Sequence, residues 1–170
     1  FNVFQELVLG SDVFESTYGK SPQFEQQSYL NRYDRSFISP ELKARLRNWF
    51  NQPEHGAAIM TNRPSSKLLG FPGTPEAELG AKLIGLEFLP IIGFGDITWL
   101  ADQKDITADA GELQKPAPQH ALAAILAASG MPERDALLDA HQITLGIKDF
   151  DLSTLDGSRV IVFEDTPAGV

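Results

Sequence analysis

An apolar run followed by two acids lies close to the carboxyl end of this chain and indicates its fold class. There, the apolar run 160–163 leads directly into the adjacent carboxylates Glu164 and Asp165, and a Thr-Pro-Ala-Gly turn follows. A short, unbroken apolar run of this kind is typical of a strand that is buried on both faces. The pattern therefore predicts a buried strand with two acids at its C-terminal tip, the edge at which α/β sheets form their binding sites.

Two further apolar runs, 57–60 and 89–93, alternate with segments of helical period. The order strand, helix, strand, helix, strand is typical of a parallel sheet covered by helices. We therefore expect the α/β class, with a Rossmann-like parallel sheet flanked by helices. Residues 99–114 have no regular period and predict a loop, and residues 1–50 predict helices without a strand.

A well-marked helix is predicted to begin at Ser39, a favourable N-cap residue followed by Pro40. Helical spacing sorts its side chains into an apolar inner face and a basic face in solvent. The two faces comprise Leu42, Leu46, Trp49 and Phe50, and Lys43, Arg45 and Arg47 respectively.

Charge and composition limit the partners of the chain. It has 14 Lys and Arg against 23 Asp and Glu, a formal net charge of −9, which repels nucleic-acid phosphates and anionic lipids. We therefore expect neither a nucleic acid nor a membrane as partner. The absence of cysteine excludes disulfides, thiolate nucleophiles and Cys-based zinc sites. With no long apolar run and no signal stretch, the cytoplasm is the expected location.

Polar residues stand at the ends of three predicted elements. Thr61 follows the first strand in the sequence Thr-Asn-Arg-Pro, Lys115 opens a helix in Lys-Pro-Ala-Pro, and Glu164-Asp165 end the last strand. Taken singly, the first is typical of a turn and the second of an ordinary helix start. Parallel strands, however, would bring all three to one edge of the sheet.

In this combination the sequence resembles the haloacid dehalogenase superfamily of phosphotransferases, in the branch with an early helical cap. Thr61 is similar to the hydroxyl residue of the family's second motif, Lys115 to its third motif, and residues 162–170 to its fourth. The resemblance covers roughly residues 40–170. It implies a partial helical cap over residues 1–50 and an α/β core over residues 51–170.

The resemblance implies a phosphatase, a hydrolase that acts on a small phosphorylated metabolite through an aspartyl-phosphate. Thr61 would donate its hydroxyl to a phosphoryl oxygen, and Lys115 would supply fixed positive charge to the same group. Asn62 and Arg63 would contact the substrate. Such positioned charges and donors carry most of the catalysis in phosphoryl transfer.

The cofactor that the resemblance implies is Mg²⁺. Asp165, with Glu164 beside it, would be the metal ligand, since magnesium prefers oxygen ligands. A metal bridge between carboxylate and phosphate would also reconcile an anionic substrate with an acidic chain.

One part of the family pattern is missing. The first motif, Asp-x-Asp, supplies the nucleophile and the acid/base group, but no Asp-x-Asp precedes Thr61, and Asp149-Phe150-Asp151 lies too late in the chain. We therefore expect an interior piece of a longer protein, with the phosphatase activity in the parent. The alternative is a catalytically silent relative that serves as a binding or structural module.

The remaining candidates predict structural roles. His55, His120 and His141 have no Ser or Cys partner pattern and are expected at the surface or at helix ends. Asp96 follows a Gly-Phe-Gly sequence and is expected to stabilise a turn.

Overall fold

The computed structural model describes residues 2–66, 73–149 and 157–163. Within these ranges 51% of the residues are helical and only two short strands are present. The elements are α1 (Asn2–Leu9), α2 (Ser11–Tyr18), α3 (Tyr29–Tyr33), α4 (Pro40–Phe50), β1 (Ile59–Met60), α5 (Glu76–Ile84), β2 (Ile91–Ile92), α6 (Phe94–Ala101), α7 (Ala110–Leu113), α8 (Pro118–Ala128) and α9 (Glu133–Thr144).

The two strands pair in parallel, with Ile59 opposite Ile91 and Met60 opposite Ile92. Helix α5 connects them, as a parallel pair requires a long crossover. The Thr61 amide donates to the Ile92 carbonyl over 3.1 Å and extends the pairing by one bond. The residues that follow β1 and β2 therefore lie at the same edge of this small βαβ unit.

The predicted Rossmann-like sheet is wrong for the part of the chain that the structure describes, which is mainly helical with a two-stranded sheet. The sequence predicts a third strand at 160–163, but residues 157–163 carry no strand, and Val160 and Phe163 are 58% and 90% exposed. An apolar run forms a buried strand only where neighbouring strands and helices cover it, and the described residues do not cover this one. The acids Glu164 and Asp165 lie outside the described residues.

Helices supply most of the burial instead. Helices α8 and α9 pack along each other, and α6 and β2 contact them to close the core. Alanines at the contact, at most 2% exposed, allow the two helix backbones to approach closely: Ala123, Ala127, Ala136 and Ala140. Larger side chains, including Ile92, Ile97, Leu100 and Leu137, fill the space around them. Part of this core comes from α6 and α7, which enter the stretch 99–114 that the sequence predicts as a loop.

Helix α4 begins as predicted, but basic side chains make its hydrogen bonds to the neighbouring helix. The Ser39 hydroxyl accepts the Leu42 amide over 3.2 Å, which confirms the N-cap. The predicted apolar inner face is wrong, because α4 has no buried residue and Trp49 is 45% exposed. Lys43 donates to the Leu83 carbonyl at 2.5 Å, and Arg47 pairs with Glu87 at 2.8 Å.

Lys43 and Arg47 thus bind at or just beyond the C-terminal end of α5. Cations stabilise a helix C-terminus because its last carbonyl groups are unpaired and carry partial negative charge. The N-terminal helices are joined to the rest by further polar contacts, among them a 2.8 Å hydrogen bond between the Tyr18 and Thr74 hydroxyls. Of the helices in the described ranges, none has the length and apolar character needed to cross a bilayer.

Candidate functional site

Thr61 stands directly after β1, where the chain leaves the sheet. Its hydroxyl oxygen accepts the Arg63 amide over 3.1 Å, which forms a short side-chain turn. A hydroxyl that accepts one bond still has a hydrogen to donate. No acceptor for that hydrogen lies among the residues that the structure describes, so Thr61 can donate to a ligand at this edge.

Asn62 joins the end of β1 to the segment before α8. Its Oδ1 atom accepts the Lys115 amide over 3.2 Å, and its Nδ2 group donates to the Lys115 carbonyl over 3.3 Å. The Lys115–Pro116 peptide bond is cis. Because both ends of the Asn62 amide bind the Lys115 backbone, the structure brings together the two sequence-predicted residues Thr61 and Lys115.

His120 lies beneath this contact and is fully buried, with 0% of its surface exposed. Its Nδ1 atom is 3.0 Å from the Lys115 amide, and its Nε2 atom is 2.9 Å from the Ile92 carbonyl. An amide N–H only donates and a carbonyl only accepts, so the ring must be neutral, with its proton on Nε2. Burial lowers the pKa of His120, the hydrogen bond to Ile92 opposes that shift, and the Lys115 charge adds to it.

The Ile92 carbonyl closes a ring of hydrogen bonds, since it accepts both the Thr61 amide and His120 Nε2. The ring runs through Thr61, Ile92, His120, Lys115 and Asn62, and then returns along the chain to Thr61. It links β1, β2 and the start of α8, which are distant in sequence. This hydrogen-bond ring fixes the relative positions of the backbones that carry the Thr61 and Lys115 side chains.

The surface position predicted for His120 is therefore wrong, whereas the helix-end position is confirmed, since His120 lies in the first turn of α8. Helical spacing contains a signal that identifies it as buried, because positions 120, 123 and 127 share one face of α8. Ala123 and Ala127 on that face belong to the core. A histidine on an otherwise apolar buried face must bind polar groups, and here both partners are backbone atoms.

Arg63 directs its side chain away from the ring. Its Nη1 atom is 3.7 Å from Asp34 Oδ2. The guanidinium borders a cleft of about 450 Å³ between segment 33–37 and α5, where Phe37 and Leu83 also contribute to the wall. Of the two predicted substrate contacts, Asn62 thus binds Lys115, and Arg63 lies in a neighbouring cleft.

A second buried network anchors the loop that follows Thr61. Ser65 Oγ donates to Asp96 Oδ2 over 3.1 Å and accepts the Gly95 amide over 2.9 Å, while the Gly93 amide donates to Asp96 Oδ2 over 2.7 Å. Burial raises the pKa of Asp96 to about 6, although the hydrogen bonds from Gly93 and Ser65 act in the opposite direction. The turn role predicted for Asp96 is confirmed, because its carboxylate binds the first turn of α6.

The described residues do not by themselves provide a metal site. Among them, no group of three or more His, Cys, Asp or Glu side chains is close enough together to hold an ion. The predicted ligands Glu164 and Asp165 lie outside the described ranges. Magnesium therefore stays a prediction from the sequence.

Comparison with known proteins does not identify a family. No protein-family model, no curated protein and no solved structure matches this chain. The resemblance to haloacid dehalogenases rests on the short motifs around Thr61, Lys115 and residues 162–170. The geometry around Thr61 and Lys115 must carry the functional argument.

Proposed function

We propose that the edge formed by Thr61 and Lys115 binds the phosphoryl group of a small phosphorylated metabolite. The observation that supports this proposal is the hydrogen-bond ring, which holds the backbones of the two residues side by side. Catalysis of phosphoryl transfer depends mainly on positioned donors and charges. A hydroxyl and an ammonium group on one fixed edge meet that requirement.

The two side chains would contribute different interactions. The Thr61 hydroxyl, which accepts from the Arg63 amide, has its hydrogen left to donate to a phosphoryl oxygen. The Lys115 ammonium is a compact charge with three donors, and it would attract a phosphate dianion to a chain whose formal net charge is −9. The phosphate is thus recognised locally, against the overall field of the protein.

We further propose that the protein to which this chain belongs is a magnesium-dependent phosphatase, located in the cytoplasm. An aspartate carboxylate would attack phosphorus, the substrate alcohol would leave with a proton, and water would then release phosphate and restore the carboxylate. That nucleophile would have to come from residues outside the printed sequence, since no Asp-x-Asp precedes Thr61. When bound by Asp165 and Glu164, Mg²⁺ would neutralise charge on the transferred group.

The proposal rests on this local geometry and does not require a Rossmann-like sheet. A calorimetric titration of the chain with inorganic phosphate tests the proposed phosphate site. We expect saturable binding that weakens about tenfold or more in both Thr61→Val and Lys115→Met, the usual cost of losing one charge-assisted hydrogen bond. The exposed residues Thr107 and Lys104 provide matched controls as Thr107→Val and Lys104→Met.

Absence of binding to the unchanged chain, or equal losses in test and control variants, would refute the phosphate site. The chemical step needs a separate assay on the parent protein, with p-nitrophenyl phosphate and Mg²⁺. Turnover that requires Lys115 supports the phosphatase. Phosphate binding without any turnover would instead support the catalytically silent alternative.

A further inference from the structure

We propose that His120 is a positioning residue for Lys115, and that its Nδ1 atom holds the Lys115 backbone at the edge where Thr61 leaves β1. The inference rests on the phosphate site proposed above and adds to it the group that sets the place of the ammonium charge. His120 does not itself contact the phosphate. It would act by restricting where the Lys115 side chain begins.

His120 places an imidazole in an apolar part of the core. His120 is fully buried, on a helix face whose other core members, Ala123 and Ala127, are apolar. A polar ring in such a place is unfavourable unless both nitrogens find partners. Both do, and the partners are backbone groups at Lys115 and Ile92, the two segments that meet at the candidate site.

His120 shares the Lys115 amide with Asn62. This N–H points at two acceptors, His120 Nδ1 at 3.0 Å and Asn62 Oδ1 at 3.2 Å. Asn62 is exposed, so water competes for its hydrogen bonds, whereas the imidazole is shielded from solvent. A hydrogen bond in a shielded, low-dielectric position is the stronger restraint. His120 therefore supplies the firmer of the two attachments.

His120 also connects Lys115 to β2. Through Nε2, the same ring binds the Ile92 carbonyl, which also accepts the Thr61 amide. The His120 ring thus connects the Lys115 backbone to the Ile92 carbonyl oxygen, which also binds the Thr61 amide. This arrangement couples the predicted charge and the predicted hydroxyl without direct contact between them.

Two substitutions separate positioning from a merely structural role. The amide of Asn ends near the place of Nδ1, so His120→Asn can keep the acceptor for Lys115 but cannot reach Ile92. The amide of Gln ends near the place of Nε2, so His120→Gln can keep the donor to Ile92 but loses the acceptor for Lys115. Each variant gives up one buried hydrogen bond, and a purely structural role predicts that the two behave alike.

Positioning predicts a difference between the variants. In His120→Gln, we expect hydrogen exchange of the Lys115 amide to accelerate about tenfold or more, and phosphate affinity to fall by about the same factor, in line with other residues that orient a ligand-binding group. In His120→Asn, exchange of the Lys115 amide should stay within about twofold of the unchanged chain, and phosphate affinity should fall clearly less than in His120→Gln. Equal effects in the two variants would overturn the inference.

The two readouts also separate this inference from the proposed function. If the unchanged chain binds no phosphate, the proposed function fails, while exchange at Lys115 still decides whether His120 holds that residue. If neither variant folds, NMR of the unchanged chain tests the hydrogen bond between the Lys115 amide and His120 Nδ1. A scalar coupling between the Lys115 amide nitrogen and Nδ1, with the ring proton on Nε2, supports the hydrogen bond. A proton found on Nδ1 overturns it.

Discussion

Asn62 and Lys115 lie 53 residues apart in the chain and exchange two hydrogen bonds, one in each direction between the Asn62 amide and the Lys115 backbone. In a larger sheet, backbone hydrogen bonds to a further strand would join two such segments, whereas here the Asn62 side chain joins them. They hold the segment before α8 against the tip of β1. The candidate site can therefore form on a sheet of only two strands.

The Asn62 contact should be measurable in stability. Asn62→Ala removes both hydrogen bonds to Lys115, and since they are exposed we expect a loss of about 1 kcal/mol in the free energy of unfolding. Urea denaturation measures this loss. Asn48→Ala, on the exposed face of α4, is the matched control and should change the free energy by less than about 0.5 kcal/mol. Equal values for the two variants would show that the Lys115 contact is not formed.

The buried carboxyl of Asp96 should make stability depend on pH. Burial raises the pKa of Asp96 from 3.8 to about 6, so between these values the folded chain holds a proton that the unfolded chain has lost. This contribution to stability is fully present below about pH 4 and disappears as the pH rises through about 6, a change of about 3 kcal/mol. Asp96→Asn should remove it, because an amide does not titrate.

The difference between the unchanged chain and Asp96→Asn, measured by urea denaturation from about pH 4 to about pH 7, isolates this residue from the other acids. The amide oxygen can still accept from Gly93 and Ser65, so folding should be retained. If the difference in free energy of unfolding between the unchanged chain and Asp96→Asn does not vary with pH, then folding does not raise the pKa of Asp96.

The close approach between α6 and the loop after Thr61 requires glycine at position 95. A Cβ atom there would lie 2.2 Å from the Ser65 carbonyl oxygen, a backbone atom that cannot turn away. Gly95→Ala should therefore destabilise the fold by about 1–3 kcal/mol in thermal or urea unfolding. In contrast, Gly80→Ala within α5 should stabilise by about 0.5–1 kcal/mol, since the nearest atom is the flexible end of Arg63 at 3.4 Å. If both substitutions changed the free energy of unfolding in the same direction, the described packing would be contradicted.

The chain alone should have no phosphatase activity. It carries no Asp-x-Asp before Thr61 and so lacks the nucleophile of the proposed reaction. Incubation with p-nitrophenyl phosphate and Mg²⁺ should release no more product than buffer does. Release that persists in Asp165→Asn would show that a different group acts as nucleophile, and that Asp165 is not needed for the metal.

Local signals in the sequence predict much of the site and less of the fold. The ends of β1 and α8 are readable because a Thr after an apolar run and a Pro in a first helical turn have local causes. The burial of His120 is also encoded in helical spacing. Asn62 and His120 bind the Lys115 backbone, so side-chain hydrogen bonds join the segments that carry Thr61 and Lys115 where a larger sheet was expected.

The larger errors concern what covers an apolar segment. The run 160–163 has the composition of a buried strand, but a strand is buried only if the rest of the chain packs over it, which composition cannot specify. The same holds for α4, where Lys43 and Arg47 bind the C-terminal end of α5 and Trp49 stays exposed. In both places, the packing of the rest of the chain, and not the local sequence pattern, determines which side chains are buried.

A crystal structure of the chain grown with tungstate, a phosphate analogue whose metal scatters anomalously, tests the phosphate site directly. We expect an anomalous peak for a tungstate ion whose oxygens lie within hydrogen-bond distance, about 3 Å, of both Thr61 Oγ1 and Lys115 Nζ. The same crystal with Lys115→Met should lose the peak. A peak bound elsewhere, or one that touches Lys115 but not Thr61, would contradict the claim that these two residues form one phosphate site.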